Sequence, residues 1–307
     1  MKITEKIDEH THVPEDRLVP TPPFPDAIKI EVTSRCNYHC SFCATGAHLR
    51  ETGDMDVDFL YRILKEAASI GVREIGMFLL GESFLLKELP AHIRYAKEEA
   101  GIEYVFLTTN GYLCTPQRLE AVIDAGLDSL KFSVNAATPE KYKAMHGVDG
   151  YKKVMGHLRW LGERSRESGF HMKTSVSSIY VEEDREDLER LRDEVLEYVD
   201  EFYFLPYYNQ AGHVENPAEG VVGNPGRFGN MVAPIPCWGL FNSAKISWNG
   251  WLTACYFDHD NRFEIADLNE CSLMEAWHHP KFVELRRKHL DGIVEDSVCA
   301  ECLGCPK

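Results

Sequence analysis

The sequence predicts an α/β fold, a partial (β/α)6 barrel followed by a small C-terminal α+β domain. Three observations carry this. Short strand-like runs alternate with longer segments of helical spacing, the pattern of a parallel sheet wrapped by helices. The alternation ends at a sixth strand near residue 205. Beyond it the chain turns rich in Gly, Asn and Pro, then becomes a hairpin-and-helix pattern dense in cysteine.

In order, residues 1–26 read as an extended N-terminal extension with prolines clustered at Pro20–Pro25. Ala27–Thr33 alternates as a strand, and Leu60, Ile63, Leu64 and Ala67 recur at helical spacing. Arg73–Leu80 reads as a strand and Glu88–Ala100 as a helix, then Glu103–Thr109 as a strand and Pro116–Ala125 as a helix. Asp128–Val134 is a strand followed by helical segments at Pro139–Met145 and Tyr151–Glu167. His171–Tyr180, a long charged helix over Glu182–Tyr198, and the strand Glu201–Leu205 complete the set. Right-handed crossovers between such units give a parallel sheet, and six of them fall short of the closed eight-stranded barrel. Tyr208–Arg227 reads as a linker, Lys245–Cys255 as a hairpin turning at Asn249-Gly250, and Ser272–Leu290 as one helix capped by Ser272 with Glu275. The chain therefore divides into an extension (1–26), a barrel (27–207), a linker (208–236) and a C-terminal unit (237–307).

Composition limits the function. The formal net charge is −16, which disfavours broad binding to nucleic acid or to an anionic membrane. No apolar run is long enough to span a bilayer, and the N-terminus lacks a signal-peptide core, so a cytoplasmic location is expected.

Ten cysteines say more, because they are clustered. Cys36, Cys40 and Cys43 lie in one loop just after the first strand, at the end of the sheet where α/β folds bind ligands. Such a triplet reads as a metal site before it reads as disulfides. Three thiolates leave one iron of a 4Fe-4S cubane open to an outside ligand, whereas electron carriers usually supply all four. A fourth thiolate from elsewhere in the chain is the alternative.

The segment CNYHCSFC resembles the radical S-adenosylmethionine superfamily. That resemblance implies a cluster on Cys36, Cys40 and Cys43, with Phe42 packed near the adenine of bound S-adenosylmethionine. Gly81-Glu82-Ser83 resembles the family's GEP motif, which binds the methionyl amine; Ser83 stands where Pro is usual. Asn110 after the third strand, and Ser133 and Asn135 at the end of the fourth, fall where the family contacts its cofactor. The resemblance spans roughly Asp26–Leu205.

The C-terminal cysteines resemble the SPASM/Twitch extension of the same superfamily. By that resemblance Cys237, Cys255, Cys299 and Cys302 hold one auxiliary 4Fe-4S cluster, with Cys305 as an alternative terminal ligand. A zinc ion is the competing occupant, since thiolate quartets suit both. Two 4Fe-4S clusters and S-adenosylmethionine are thus the implied cofactors, with a flavodoxin- or ferredoxin-type reductant as partner.

The implied chemistry is reductive cleavage of S-adenosylmethionine and hydrogen abstraction by the resulting 5′-deoxyadenosyl radical. The outcome is oxidation, or epimerisation if a thiol returns a hydrogen atom; Cys114, Cys271 and Cys305 are the donors to consider. About 26 residues precede the first strand, fewer than the leader-binding domain of many peptide maturases. This favours a small polar substrate of sugar or aminocyclitol type over a ribosomally made peptide. Tyr207, Tyr208, Asn209, Gln210 and His213, just past the sixth strand, are candidates to line its pocket, with ordinary loop surface the favoured reading. A non-catalytic electron-transfer protein is the reading from another class, opposed by the methionyl-binding loop.

Overall fold

The computed structural model describes residues 1–215 and 221–305, so part of the expected linker, 216–220, and the last two residues of the C-terminal unit lie outside the described residues. The chain opens with helix α1 (Ile3–Thr11) and strand β1 (Ala27–Ile30), followed by α2 (Val57–Ser69), β2 (Glu74–Gly76) and α3 (Leu89–Arg94). Then come β3 (Tyr104–Thr109), α4 (Pro116–Asp124), β4 (Ser129–Ser133), α5 (Pro139–His146) and α6 (Tyr151–Ser168). β5 (Lys173–Ile179), α7 (Arg185–Val195) and β6 (Glu201–Leu205) complete the repeat. The C-terminal unit contributes β7 (Ala244–Ile246), β8 (Trp251–Thr253), β9 (Glu264–Asp267), α8 (Leu273–Trp277) and α9 (Pro280–Asp291).

Strands β1 to β6 are parallel neighbours in chain order. The sheet does not close; β6 and β9 are its edges. The helices form because their apolar residues repeat at helical spacing and bury one face. In α2 these are Leu60, Ile63, Leu64 and Ala67, with Asp56 capping the start by accepting from Phe59 N.

The N-terminal segment differs from expectation. It is not extended throughout: Ile3, Ile7 and Thr11 share one face of α1, which crosses the N-terminal ends of the strands. Glu201 at the start of β6 accepts from Ile3 N and Thr4 N at 2.5 and 3.1 Å, and Lys6 pairs with Glu74 at the start of β2. The carboxylate of Glu201 thus satisfies free N–H groups of the helix. α1 therefore bridges two strands far apart in the sheet and floors the barrel.

The C-terminal hairpin also departs from a separate small layer. β7 pairs in parallel with β1 in the register Ile28↔Ala244, Lys29↔Lys245 and Ile30↔Ile246. Main-chain hydrogen bonding thus crosses from barrel to C-terminal unit, and β8 and β9 continue the same sheet antiparallel. The helix expected over Ser272–Leu290 is broken at His278-His279, because Pro280 cannot continue it. The Ser272–Glu275 capping box forms as expected.

Candidate functional site

Cys36, Cys40 and Cys43 sit together on the loop leaving β1, each partly buried. The loop is held by Cys43 N donating to Cys40 O at 3.2 Å and Ser41 N to Met145 O at 2.8 Å. Burial pushes the Cys36 thiol up to about 11. It pushes Cys40 up further, helped by the charges of Cys43 and Cys36. Buried thiolates this close to one another need a cation among them.

Each sulfur has a polar neighbour. Cys43 Sγ contacts the Thr45 hydroxyl at 3.3 Å. Asn110 Nδ2 lies 4.0 Å from Cys36 Sγ and donates to Asn37 Oδ1 at 2.9 Å. His146 Nδ1 stands 3.4 Å from Cys40 Sγ. Because the His146 Nε2 accepts from Asn135 N at 3.3 Å, the ring proton is on Nδ1 and points at the sulfur. The ring stacks on Tyr142 at 4.1 Å and meets the edge of Phe42 at 5.3 Å.

The Gly81-Glu82-Ser83 segment packs directly under this loop. A Cβ at Gly81 would stand 2.1 Å from Thr33 O, so only glycine allows the approach. Glu82 is buried, and its carboxylate accepts from Thr109 Oγ1 at 2.9 Å, Asn110 N at 2.7 Å and Phe84 N at 3.1 Å. Ser83 donates to Met77 O at 2.6 Å. Glu82 therefore locks the end of β3 to the loop after β2. That loop meets the cavity described below through Phe78, Leu79 and Leu80. Ser133 lines the same cavity, whereas Asn135 is buried and accepts from Ile179 N at 2.8 Å.

A cavity of about 350 Å³ lies inside the barrel, running from Phe42 and Cys43 at its mouth to Ile7 and His10 of α1 at its floor. Polar walls come from Thr108, Ser133, Tyr208 and Gln210. Of the expected linker residues, Tyr208 and Gln210 reach it. Asn209 instead donates to Glu301 O and Cys302 O, and His213 faces Asp260 at 3.4 Å.

The second cysteine set closes on itself. Cys237, Cys255, Cys299 and Cys302 line one void of about 30 Å³ with Leu240, Phe263 and His289. Cys237 N donates to His289 Nδ1 at 3.3 Å, and Phe257 N to Cys255 Sγ at 3.3 Å. Cys305 lies outside, in a surface groove with Arg262 and Glu295. Among the described residues no three His, Cys, Asp or Glu are grouped as one metal ion requires. The four thiols surround this one small space.

The two sites share a wall. Asn224, Tyr256 and Phe257 line both the large cavity and the cysteine void. Behind Tyr256 lies Lys245, which donates to Gly239 O and to Ser243 O. Burial pushes Lys245 down to about 8 against the pull of the neighbouring thiols Cys237 and Cys255. Of the three thiols considered as hydrogen donors, Cys114 is fully buried beside Thr109, Cys271 contacts Asp267 O at 3.3 Å, and Cys305 is in its surface groove. None of these three lines the cavity.

Sequence reasoning missed His146, the lysines Lys29 and Lys131 that line the cavity, and the buried pair Glu31–Arg50. Arg50 meets both oxygens of Glu31 at 2.6 and 2.8 Å, and Trp248 N donates to the same carboxylate at 3.2 Å. The lysines did leave a signal: each is flanked by apolar residues in its strand, at the alternate position that faces the barrel interior. His146 left none, because its partner Cys40 is 106 residues away.

A family model described as the Radical SAM superfamily matches residues 30–199, and one described as an iron-sulfur cluster-binding domain matches residues 237–306. Among curated proteins, the GTP 3′,8-cyclase of Chlorobaculum tepidum is 35% identical over 129 residues, 42% of this chain and 38% of that protein. The GTP 3′,8-cyclase of Tolumonas auensis is 30% identical over 155 residues, 50% of this chain and 44% of that protein. The chain thus spans about two fifths of the length of these curated relatives. Among solved structures, BtrN in complex with AdoMet and 2-DOIA superposes with a TM-score of 0.61 at 18% identity, covering 92% of this chain and 94% of that one. Streptococcus suis SuiB bound to precursor peptide SuiA gives a TM-score of 0.68 at 16% identity, covering 98% of this chain and 74% of that one. At these identities the likeness is one of fold.

Proposed function

The chain belongs to the radical SAM superfamily and carries a C-terminal iron–sulfur cluster-binding domain, and from that premise we propose that it oxidises a small polar substrate at an unactivated carbon. Its cofactors are 4Fe-4S clusters and S-adenosylmethionine. Cys36, Cys40 and Cys43 would hold the first cluster, and Cys237, Cys255, Cys299 and Cys302 an auxiliary one. When bound, the first supplies the reductively generated 5′-deoxyadenosyl radical and the second a one-electron acceptor.

The chain's own residues set the conditions for that chemistry. Asn110 and His146 orient donors toward the sulfurs of Cys36 and Cys40. Glu82 fixes the loops after β2 and β3 relative to each other. Phe42, Leu79 and Leu80 form the apolar mouth, and α1 closes the floor, so a reacting substrate is shielded from water.

The observation that carries the reading is the shared wall: Tyr256 and Phe257 separate the cavity from the second cysteine set by the thickness of one residue. That placement suits removal of an electron from a substrate in the cavity. Epimerisation fits less well, because Cys114, Cys271 and Cys305 all lie away from the cavity. A chamber of about 350 Å³ favours a small molecule over a peptide. The test is the mass of the product formed from a sugar or aminocyclitol substrate in deuterated water. Oxidation lowers it by two hydrogens; an unchanged skeleton that gains one solvent deuterium would replace oxidation with epimerisation.

A further inference from the structure

Four basic side chains line the barrel cavity: His10, Lys29, Lys131 and Arg227. Two are already neutralised. His10 faces Glu74 at 3.3 Å, and Arg227 meets both oxygens of Asp8 at 2.8 and 2.5 Å. Lys29 and Lys131 are different. Among the described residues no carboxylate lines the cavity with them. Lys29 lies over the rings of Phe78 and Tyr256, at 4.9 and 4.4 Å from their centroids, which satisfies its charge in part. Lys131 has neither an ion pair nor an aromatic face among the described residues.

The two lysines also repel each other. Burial pushes Lys29 down to about 7, and the charges of Lys131 and Lys245 push the same way. Burial alone pushes Lys131 down to about 8. Both side chains are half-buried, and ammonium groups held in a cavity without a counter-charge are costly and suited to an anionic partner. The chain's net charge of −16 makes their pairing inside the barrel more conspicuous, since acidic residues abound elsewhere. The hydroxyls of Thr108 and Ser133 open onto the same space and add donors suited to an oxyanion.

We propose that the substrate carries an anionic group, a carboxylate or a phosphate, that docks between Lys29 of β1 and Lys131 of β4. This rests on the cavity being the substrate chamber. The anion supplies the counter-charge the two ammonium groups lack and turns the reacting carbon toward the mouth at Phe42 and Cys43.

The experiment is anaerobic isothermal titration calorimetry of the reconstituted holoprotein saturated with S-adenosylmethionine. Pyrophosphate is the probe in one arm and succinate in the other. The expected result is saturable one-to-one binding in at least one arm, weakened about tenfold or more in both Lys29→Gln and Lys131→Gln. A response to pyrophosphate assigns a phosphate group and a response to succinate a carboxylate. Lys29→Met and Lys131→Met, which keep the side-chain volume, stand in for any variant whose iron content falls below wild type. Three results overturn the proposal: no saturable binding in either arm at millimolar probe, binding that survives both substitutions, or variants that lose S-adenosylmethionine rather than the probe. If the wild type makes no 5′-deoxyadenosine, the radical reading fails while the anion titration still stands or falls by itself.

Discussion

The ammonium of Lys29 lies 4.4 Å from the ring centroid of Tyr256. Lys245, the register partner of Lys29, lies 4.9 Å from the same ring. One aromatic side chain thus meets two lysine ammonium groups, and it forms part of the wall between the barrel cavity and the second cysteine set. Tyr256→Leu removes both cation–π contacts, and the expected loss is ~1–2 kcal/mol of stability, read from the urea midpoint. Product formed per 5′-deoxyadenosine should fall as well, measured by chromatography of both species. An unchanged ratio would show that the wall plays no part in the substrate's oxidation.

Arg50 and Glu31 form the buried ion pair that ties the cysteine loop to β1 and to Trp248 of the C-terminal hairpin. Arg50→Met strands the carboxylate, and the expected cost is ~3–5 kcal/mol. Adding Glu31→Gln removes the stranded charge while keeping an acceptor for Trp248 N, so most of the loss should return. A double variant as unstable as the single one would place the effect elsewhere.

His146 aims an N–H at Cys40 Sγ. Hydrogen bonds to ligand sulfurs make a cluster easier to reduce. His146→Leu should therefore shift the reduction potential of the first cluster negative, on the order of tens of millivolts. Spectroelectrochemistry checks it; no shift would reduce His146 to packing against Phe42 and Tyr142.

Lys29 titrates at about 7 in the folded chain against an ordinary value of 10.5, first because of burial and then because of Lys131 and Lys245. Between those values the unfolded chain binds a proton that the folded chain gives up. Stability therefore rises with pH across the window and is lowest below it. Lys29→Met removes that slope. The variant should be more stable than wild type at pH 7, with the difference shrinking by pH 9. Urea midpoints of the holoprotein at the two pH values measure it, and a constant difference would contradict the buried-charge account.

Much of this was legible in the chain. The alternation of short strand-like runs with helical segments placed all six barrel strands. The cysteine triplet is placed at the end of β1 because it directly follows the first strand-like run, Ala27–Thr33. The signal failed where partners are distant in sequence. Glu31 and Arg50 look like ordinary surface charges until the hairpin at Trp248 folds over them. The floor helix α1 is harder to see because the prolines from Pro20 onward mark the segment as extended, although Ile3, Ile7 and Thr11 carry helical spacing. The pairing of β7 with β1 could not be read at all, since it joins segments more than two hundred residues apart.

The central claim, that Cys36, Cys40 and Cys43 support radical chemistry, has one direct measurement. The anaerobically reconstituted protein is reduced with dithionite in the presence of S-adenosylmethionine, and 5′-deoxyadenosine is quantified beside a Cys40→Ala variant. The account predicts 5′-deoxyadenosine from the wild type, none from the variant, and about four fewer irons per chain in the variant. Equal amounts from both proteins, or none from a wild type carrying its full iron, would contradict it.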